Sequence, residues 1–347
     1  METAPEAARS ADDVPMLKVA IFGAGQLGNG VARLLRFGGR HEVLGPFKRA
    51  ERTRALTSGA DVVVLATTTR LRDVAEDIET AVRAGSDVLV SAEECAYPFV
   101  VDESLARRLD QLAIEKGVSI AGCGLNPGLI FDALVLTLLG TGPADCLIEV
   151  RRTVDISGFG SEVLRRIGVG RSAPAFAAAA SQEEILGHAG FPQSMSVVAA
   201  AMGLTVERIS KELCPVITRS EIALPGRFPI RPGESAGVDQ TYTAFVSGAR
   251  WFTCHFFGHV DLASLGKTAA DHIALRRGDA IVQSLQITPG IPAQRGSQYM
   301  LANSIDRIVA ARPGWRTVAE LPPAFPRVGR HLPDVSCDAQ HAPRERP

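Results

Sequence analysis

Blocks of apolar residues with two different periods divide this chain. In the first third the two periods alternate. Lys18 to Phe22 is a short apolar run that reads as a buried strand, and Gln26 to Phe37 follows with helical spacing. His41 to Gly45 is a second short strand, and Asp61 to Ala66 is continuously apolar, as expected of a strand covered on both faces. Leu71 to Ala84 places Val74, Ile78 and Val82 at helical spacing, and Asp87 to Ser91 is another buried strand. Asp102 to Lys116 sets Leu105, Leu109 and Leu112 opposite Arg107, Arg108 and Asp110, and Val118 to Ala121 is a further strand. This alternation predicts a parallel sheet with right-handed crossovers and ligands at the C-terminal strand ends.

After Gly122 the pattern changes. Asn126-Pro127-Gly128 reads as a turn into a helix over Leu129 to Leu139, and Cys146 to Ile156 as a longer alternating strand. Ser181 to His188 and Pro192 to Gly203 read as helices, while Tyr242 to Val246, Trp251 to Val260 and Ala280 to Ile287 read as antiparallel strands. Ala302 to Ala311 reads as a last helix, ended by Pro313-Gly314. The whole predicts an α/β chain: a Rossmann parallel-sheet domain over 15–125, rejoined by a C-terminal helix within 300–326, then an α+β domain with a mainly antiparallel sheet over 126–299. Residues 1–14 and 327–347 read as loose tails.

Composition narrows the partners. Thirty-seven basic residues against 38 acidic ones give a formal net charge of −1, leaving no basic excess to displace counterions from a nucleic acid. No apolar run reaches membrane-spanning length, and the N-terminus lacks the basic start and apolar middle of a signal peptide. The 6 cysteines (Cys95, Cys123, Cys146, Cys214, Cys254, Cys337) form no C-x-x-C pair, so neither a zinc site nor a disulfide framework is expected, and reduced thiols in the cytoplasm are the simplest reading. His255 and His259 share one face of a strand, without a third metal ligand.

The candidate chemistry begins at Gly23-Ala24-Gly25-Gln26-Leu27-Gly28, a G-x-G-x-x-G between a strand and a helix. The first glycine makes the tight turn, the second lets backbone approach a pyrophosphate, and the third lets helix and strand pack closely. The helix N-terminus then offers free N–H groups to the phosphates, with Gln26 and Leu27 in the turn itself. An NAD site commonly carries an acid at the tip of the second strand; here Lys48, Arg49 and Arg52 crowd that tip. Such a cluster suits the 2′-phosphate of NADP(H) and makes NAD(H) the lesser expectation, a solvated basic loop being the alternative. Thr67 and Thr68, after the third strand, either line the crevice or bond their own backbone. Glu93 and Glu94 follow the fourth strand, where a half-buried carboxylate can exchange protons near neutrality; acids favouring a helix start are the competing reading.

Several stations in order carry a resemblance. Ser91 to Pro98 is similar to an E-E-x-x-Y-P segment, Gly122 to Gly128 to a G-x-G-x-N-P-G turn, and Gly187 to Ser194 to a G-H-x-G-x-P-x-S segment. Arg152-Thr153-Val154-Asp155, Ile167-Gly168-Val169-Gly170 and the stretch from Ala302-Asn303-Ser304-Ile305 through Pro313-Gly314 to Leu321-Pro322 match further stations. Together they resemble the 2,4-diaminopentanoate dehydrogenase family, which includes NAD(P)H-dependent amine dehydrogenases, from about Leu17 to Pro323. The resemblance implies an N-terminal domain akin to that of dihydrodipicolinate reductase, although that enzyme's paired-histidine segment and substrate loop are absent.

It further implies reversible oxidative deamination of an amine, or reductive amination of a ketone with ammonia, by hydride transfer to or from a nicotinamide. Glu93 or Glu94 would bind the amine and move its protons. Asn126 would sit near the nicotinamide, a helix N-cap being its other reading. Arg152 and Asp155 would shape the pocket or pair as a strand salt bridge. His188 would face substrate or, more simply, be structural. Dimerisation through the antiparallel sheet is implied as well. Where the family carries an arginine pair between Asp155 and Ile167, this chain has Ile156-Ser157-Gly158-Phe159-Gly160-Ser161, which implies a less anionic substrate. A reductase of imines or carbonyls that needs no ammonia is the runner-up. A non-catalytic NADPH-binding regulator is the alternative of another class.

Overall fold

The computed structural model describes residues 16–185 and 187–327, so the tail expected at 1–14 and nearly all of that expected at 327–347 lie outside the described residues. The N-terminal part alternates as its apolar runs predict: β1 (Leu17–Phe22), α1 (Gln26–Gly38), β2 (His41–Phe47), α2 (Arg52–Leu56), β3 (Val62–Leu65), α3 (Leu71–Arg83), β4 (Asp87–Val90), α4 (Glu103–Lys116) and β5 (Ser119–Gly122). The Asp102 carboxylate accepts the Leu105 N–H at 3.1 Å and caps α4, and Gly117, in the left-handed region at φ 70°, ends it.

The C-terminal part comprises α5 (Ala133–Leu139), β6 (Leu147–Asp155), α6 (Ser161–Arg166), α7 (Ala173–Ser181), α8 (Phe191–Ala201), β7 (Arg208–Ile217), β8 (Ser235–Val246), β9 (Ala249–His259), β10 (Ala270–Arg277) and β11 (Ala280–Ile287). The chain then returns through α9 (Ala293–Ala302), α10 (Ile305–Val309) and β12 (Gly314–Arg316).

Among the described residues two six-stranded sheets result. The first has the order β12-β5-β4-β3-β1-β2 and is parallel throughout. Val62 to Leu65 are all buried, which is why that run carries no polar alternation. One apolar layer, including Val74, Ile78, Leu109 and Leu112, covers one face of this sheet; the other, including Val31, Leu35, Leu301, Ile305 and Ile308, covers the opposite face. The second sheet has the order β11-β10-β6-β9-β8-β7 and is antiparallel except for the β6–β9 pair. In β6 the residues Ile148, Val150, Arg152 and Val154 are buried and alternate with more exposed ones, so one face of this sheet packs on the core.

Several elements differ from the pattern-based expectation. The helix expected at Ser181 to His188 is not found: α7 ends at Ser181, and the described residues 182–185 and 187–188 are turn and irregular chain. Ala177 to Ala180 offer no amphipathic stripe to announce α7, while Gly187 and Gly190, at φ 67° and 93°, forbid a helix through the later stretch. The helix expected from Leu129 starts at Ala133, where Asp132 caps it. The single closing helix expected within 300–326 is instead α9, α10 and the edge strand β12. The polar strand β7 and the strand β10 carry too little apolar signal to be read from sequence.

Candidate active site

The glycine turn behaves as its sequence requires. A Cβ on Gly23 would stand 2.2 Å from the Ala66 carbonyl oxygen, and one on Gly28 would stand 1.9 Å from that of Gly23. Those two glycines are therefore demanded by the packing of β1, α1 and the end of β3. Gly25 is different: a Cβ there meets no atom within 4 Å. The fold does not need that glycine, but a pyrophosphate approaching the backbone at the start of α1 does. The first N–H groups of α1 have no intrahelical acceptor and suit phosphate oxygens. The turn thus fits a dinucleotide.

At the tip of β2 the basic cluster divides. Arg52 is engaged on the protein itself: its Nε bonds the Asp77 carboxylate, and its guanidinium lies 3.4 Å from Glu76. Of the expected cluster it is the member already paired within the protein. Lys48 and Arg49 are exposed just beyond Phe47, and among the described residues their side chains make no ion pair. Thr68 donates to Asp73 at 3.2 Å, the local bond of a polar loop, and Thr67 is exposed at the end of β3.

The two glutamates are separated by their surroundings. They open a short 3₁₀ turn, Glu93–Ala96, at the C-terminal end of β4. Gly122 lets this turn lie against the end of β5, since a Cβ there would stand 2.3 Å from the Ala96 nitrogen. Trp315 holds the turn from the other side, donating Nε1–H to the Cys95 carbonyl at 3.2 Å. The Glu94 carboxylate accepts the Leu71 N–H at 2.7 Å and thereby serves the start of α3. Glu93 instead lines a cavity with Leu27, Ser91, Cys123, Asn126 and Ser297, between the glycine turn and the ends of β4 and β5. Burial pushes its carboxyl from 4.5 up to about 7, opposed by the Thr69 hydroxyl and the charge of Arg166. A carboxyl held at that value can take up and release a proton near neutrality.

Asn126 lines the same cavity and caps no helix. With its amide oriented to satisfy both neighbours, it accepts from Arg152 Nε at 3.0 Å and donates to the Leu125 carbonyl at 2.6 Å. Arg152 does not pair with Asp155. It is 1% exposed, bonds the Asp271 carboxylate, and donates to the Ile291 carbonyl at 2.7 Å. Asp271 in turn accepts the Ile291 N–H at 2.8 Å. Arg152 therefore positions Asn126 from below. Asp155 is exposed and accepts the Ser157 N–H at 2.8 Å.

His188 is packed among Phe131, Phe191 and Phe256, with centroid distances of 6.0, 4.9 and 5.0 Å. Burial and the Arg152 charge push its imidazole down to about 4, so it is neutral at neutral pH and supplies no acid there. Its backbone exchanges bonds with the Gln240 amide at 2.8 and 3.2 Å. Two residues beyond it, a Cβ on Gly190 would meet Pro127 at 2.4 Å and Glu93 Cβ at 3.2 Å, so this loop closes directly over the glutamate.

Four residues near the site were not read from sequence. Asp132, fully buried, accepts from the Gly128 N–H at 2.8 Å, the Ala133 N–H at 2.7 Å and the Ser194 hydroxyl at 2.9 Å, and so ties the Asn126 turn to α8. Its capping position ahead of an apolar helix was the available signal. Asp271 carried none, because its partner is 119 residues away. Arg165 and Arg166 are adjacent arginines within the interval where the sequence reading found no pair, at the end of α6. Arg165 bonds Glu162 at 2.8 Å, while Arg166 is exposed and acts on the Glu93 carboxyl through its charge. Elsewhere, His255 bonds Asp239 at 2.7 Å and His259 bonds the Asp261 backbone. Among the described residues the cysteines are free, and no helix is long and apolar enough to cross a membrane.

Comparison with known proteins identifies the family. Residues 129–330 match the 2,4-diaminopentanoate dehydrogenase C-terminal domain. The chain is 30% identical over 332 residues to a 2,4-diaminopentanoate dehydrogenase of Acetoanaerobium sticklandii, covering 88% of this chain and 93% of that protein. Its fold is similar to that of an amine dehydrogenase from Mycobacterium smegmatis, with a TM-score of 0.77, 20% identity, and coverage of 90% of this chain and 98% of that one. A probable dehydrogenase from Thermotoga maritima is more distant, at a TM-score of 0.51 and 9% identity over 88% and 92% of the two chains. The chain belongs to the 2,4-diaminopentanoate dehydrogenase family and is an oxidoreductase of the amine dehydrogenase class.

Proposed function

We propose that this enzyme interconverts an amine and a ketone plus ammonia with NADP(H), using Glu93 as the acid–base group. The observation that carries the reading is the position of Glu93: it lines the cavity beside the glycine turn, with its carboxyl raised to about 7. We assign the parallel-sheet part to cofactor and the second sheet's part to substrate. The backbone from Gly25 to Gly28 would hold the pyrophosphate, and Lys48 and Arg49 would hold a 2′-phosphate. A bound nicotinamide would accept or deliver the hydride.

The chain's own residues do the rest. Ammonium must lose a proton before its lone pair attacks a carbonyl carbon, and Glu93 in its carboxylate form takes that proton. The resulting carbinolamine loses water when Glu93 returns a proton to the departing hydroxyl. The iminium that remains is positive, and the Glu93 carboxylate beside it offsets that charge in a site with little water. Asn126, fixed by Arg152, orients the reacting group. Neutral His188 and the Gly190 loop close the side of the cavity and exclude solvent.

The test is NADPH oxidation with a ketone panel, with and without ammonium. Ketone consumption that needs ammonium is the expected result. Equal rates without ammonium indicate a carbonyl or imine reductase instead. NADPH binding without turnover on any ketone or amine indicates a regulator. KM values for NADPH and NADH test the cofactor assignment, and a clear NADH preference would contradict it.

A further inference from the structure

A second and larger cavity, of about 380 Å³ against about 100 Å³ for the one containing Glu93, lies at the end of β6. Its walls include Val154, Phe159, Ile291 and Pro292, with Asp155 at one side and Arg295 on α9. The two cavities are neighbours. Ser297 lines the first, and Gln294, one turn earlier on α9, lines the second. Between them stand Leu125, Gly296 and Ile291: a Cβ on Gly296 would come 2.7 Å from Leu125 and 2.8 Å from Ile291. The two lining residues stand one helical turn apart on α9, roughly 5 Å along its axis.

The chemistry of the second cavity is mostly apolar. Gly158 and Phe159 reach it from the segment Ile156 to Ser161, which has no cation. Arg152, behind Ile291, is already neutralised by Asp271. Asp155 and Arg295 both line this cavity and both are exposed, so their side chains stay in contact with water, and a carboxylate inside would find no buried cation. A cavity of about 150 Å³ lined by aliphatic and aromatic side chains is enough for a benzene ring.

We propose that this second cavity receives the non-reacting substituent of the substrate, and that this substituent is uncharged and apolar, up to the size of an aryl ring. The inference rests on the reaction assigned to Glu93 above. Phe159 is then a specificity residue.

Benzylacetone and levulinate form a matched pair: the same methyl ketone, ending in phenyl or in carboxylate. With NADPH and saturating ammonium, kcat/KM should favour benzylacetone by at least about tenfold. Phe159→Ala should raise KM for benzylacetone severalfold and leave the Kd for NADPH unchanged, which also shows that the variant is folded. Phe159→Arg should move the preference toward levulinate. A wild-type preference for levulinate, or a ratio unmoved by both substitutions, overturns the proposal. If neither ketone turns over, the reaction assigned to Glu93 fails, and the cavity is judged by thermal shift in the presence of NADPH. Benzylacetone but not levulinate should then raise Tm, and Phe159→Ala should abolish the rise; no rise with benzylacetone overturns the proposal by itself.

Discussion

Replacing Glu93 with glutamine should cost activity and gain stability, both for one reason. The folded protein holds the Glu93 carboxyl at about 7, against 4.5 when exposed to water. Between those values the folded state keeps a proton that the unfolded state has released, so stability falls as pH rises through the interval. Once the pH passes the folded value, the charged carboxylate costs the fold about 3 kcal/mol. Glutamine has the same shape and no charge, so it escapes this cost. At pH 8 Glu93→Gln should therefore be more stable by about 3 kcal/mol, and at pH 5 by less than about 1 kcal/mol. Asp87, raised by burial to about 6, titrates in the same range, but it is common to both proteins and cancels in the comparison. Denaturant unfolding of both proteins at the two pH values gives the difference directly, and thermal melting should show several degrees. Turnover should fall by about 10²–10⁴-fold, the usual loss of a general base. A stability difference that does not change with pH would show that the carboxyl is not held near 7, and the proposed proton transfer would lose its basis.

Four further outcomes follow from the same geometry. Glu94→Ala removes the acceptor for the Leu71 N–H and should cost about 1–2 kcal/mol of stability by denaturant unfolding, with kcat nearly unchanged. Arg166→Ala removes a positive charge that favours the Glu93 carboxylate, so the acid limb of the kcat/KM profile should move above about 7, while a fixed limb would deny the coupling. Arg152→Met leaves Asp271 buried without its cation and should cost about 3–5 kcal/mol in unfolding measurements, partly recovered when Asp271→Leu is added. Lys48→Ala and Arg49→Ala should each raise KM for NADPH by about tenfold while leaving KM for NADH nearly fixed, because each removes one charge-assisted bond to the 2′-phosphate.

The parallel sheet was legible because both of its faces are covered, which turns each strand into an unbroken apolar run such as Val62 to Leu65. The glycine turn was legible because Gly23 and Gly28 answer to local packing. The position of the glutamates was legible because they follow the apolar run of β4, but the difference between their surroundings was not. That depends on Leu71, which takes the Glu94 carboxylate, and on the Gly190 loop, which closes over Glu93, both far away in sequence. The pairing of Arg52 was not legible, because its acceptors Asp77 and Glu76 lie on α3. Arg152 and Asp271 face each other only because β6 and β10 are neighbours in register, a pairing that no period in either segment announces. The second sheet was read incompletely because its solvent-facing positions, as in β7, dilute the apolar alternation.

The central claim is that a carbon–nitrogen bond is made at Glu93. Incubating the enzyme with a ketone, NADPH and isotopically heavy ammonium, then weighing the product by mass spectrometry, tests it most directly. The account predicts an amine carrying the heavy nitrogen, formed by the wild type and nearly lost in Glu93→Gln. An alcohol as the product, or heavy amine formed equally by both proteins, would contradict it.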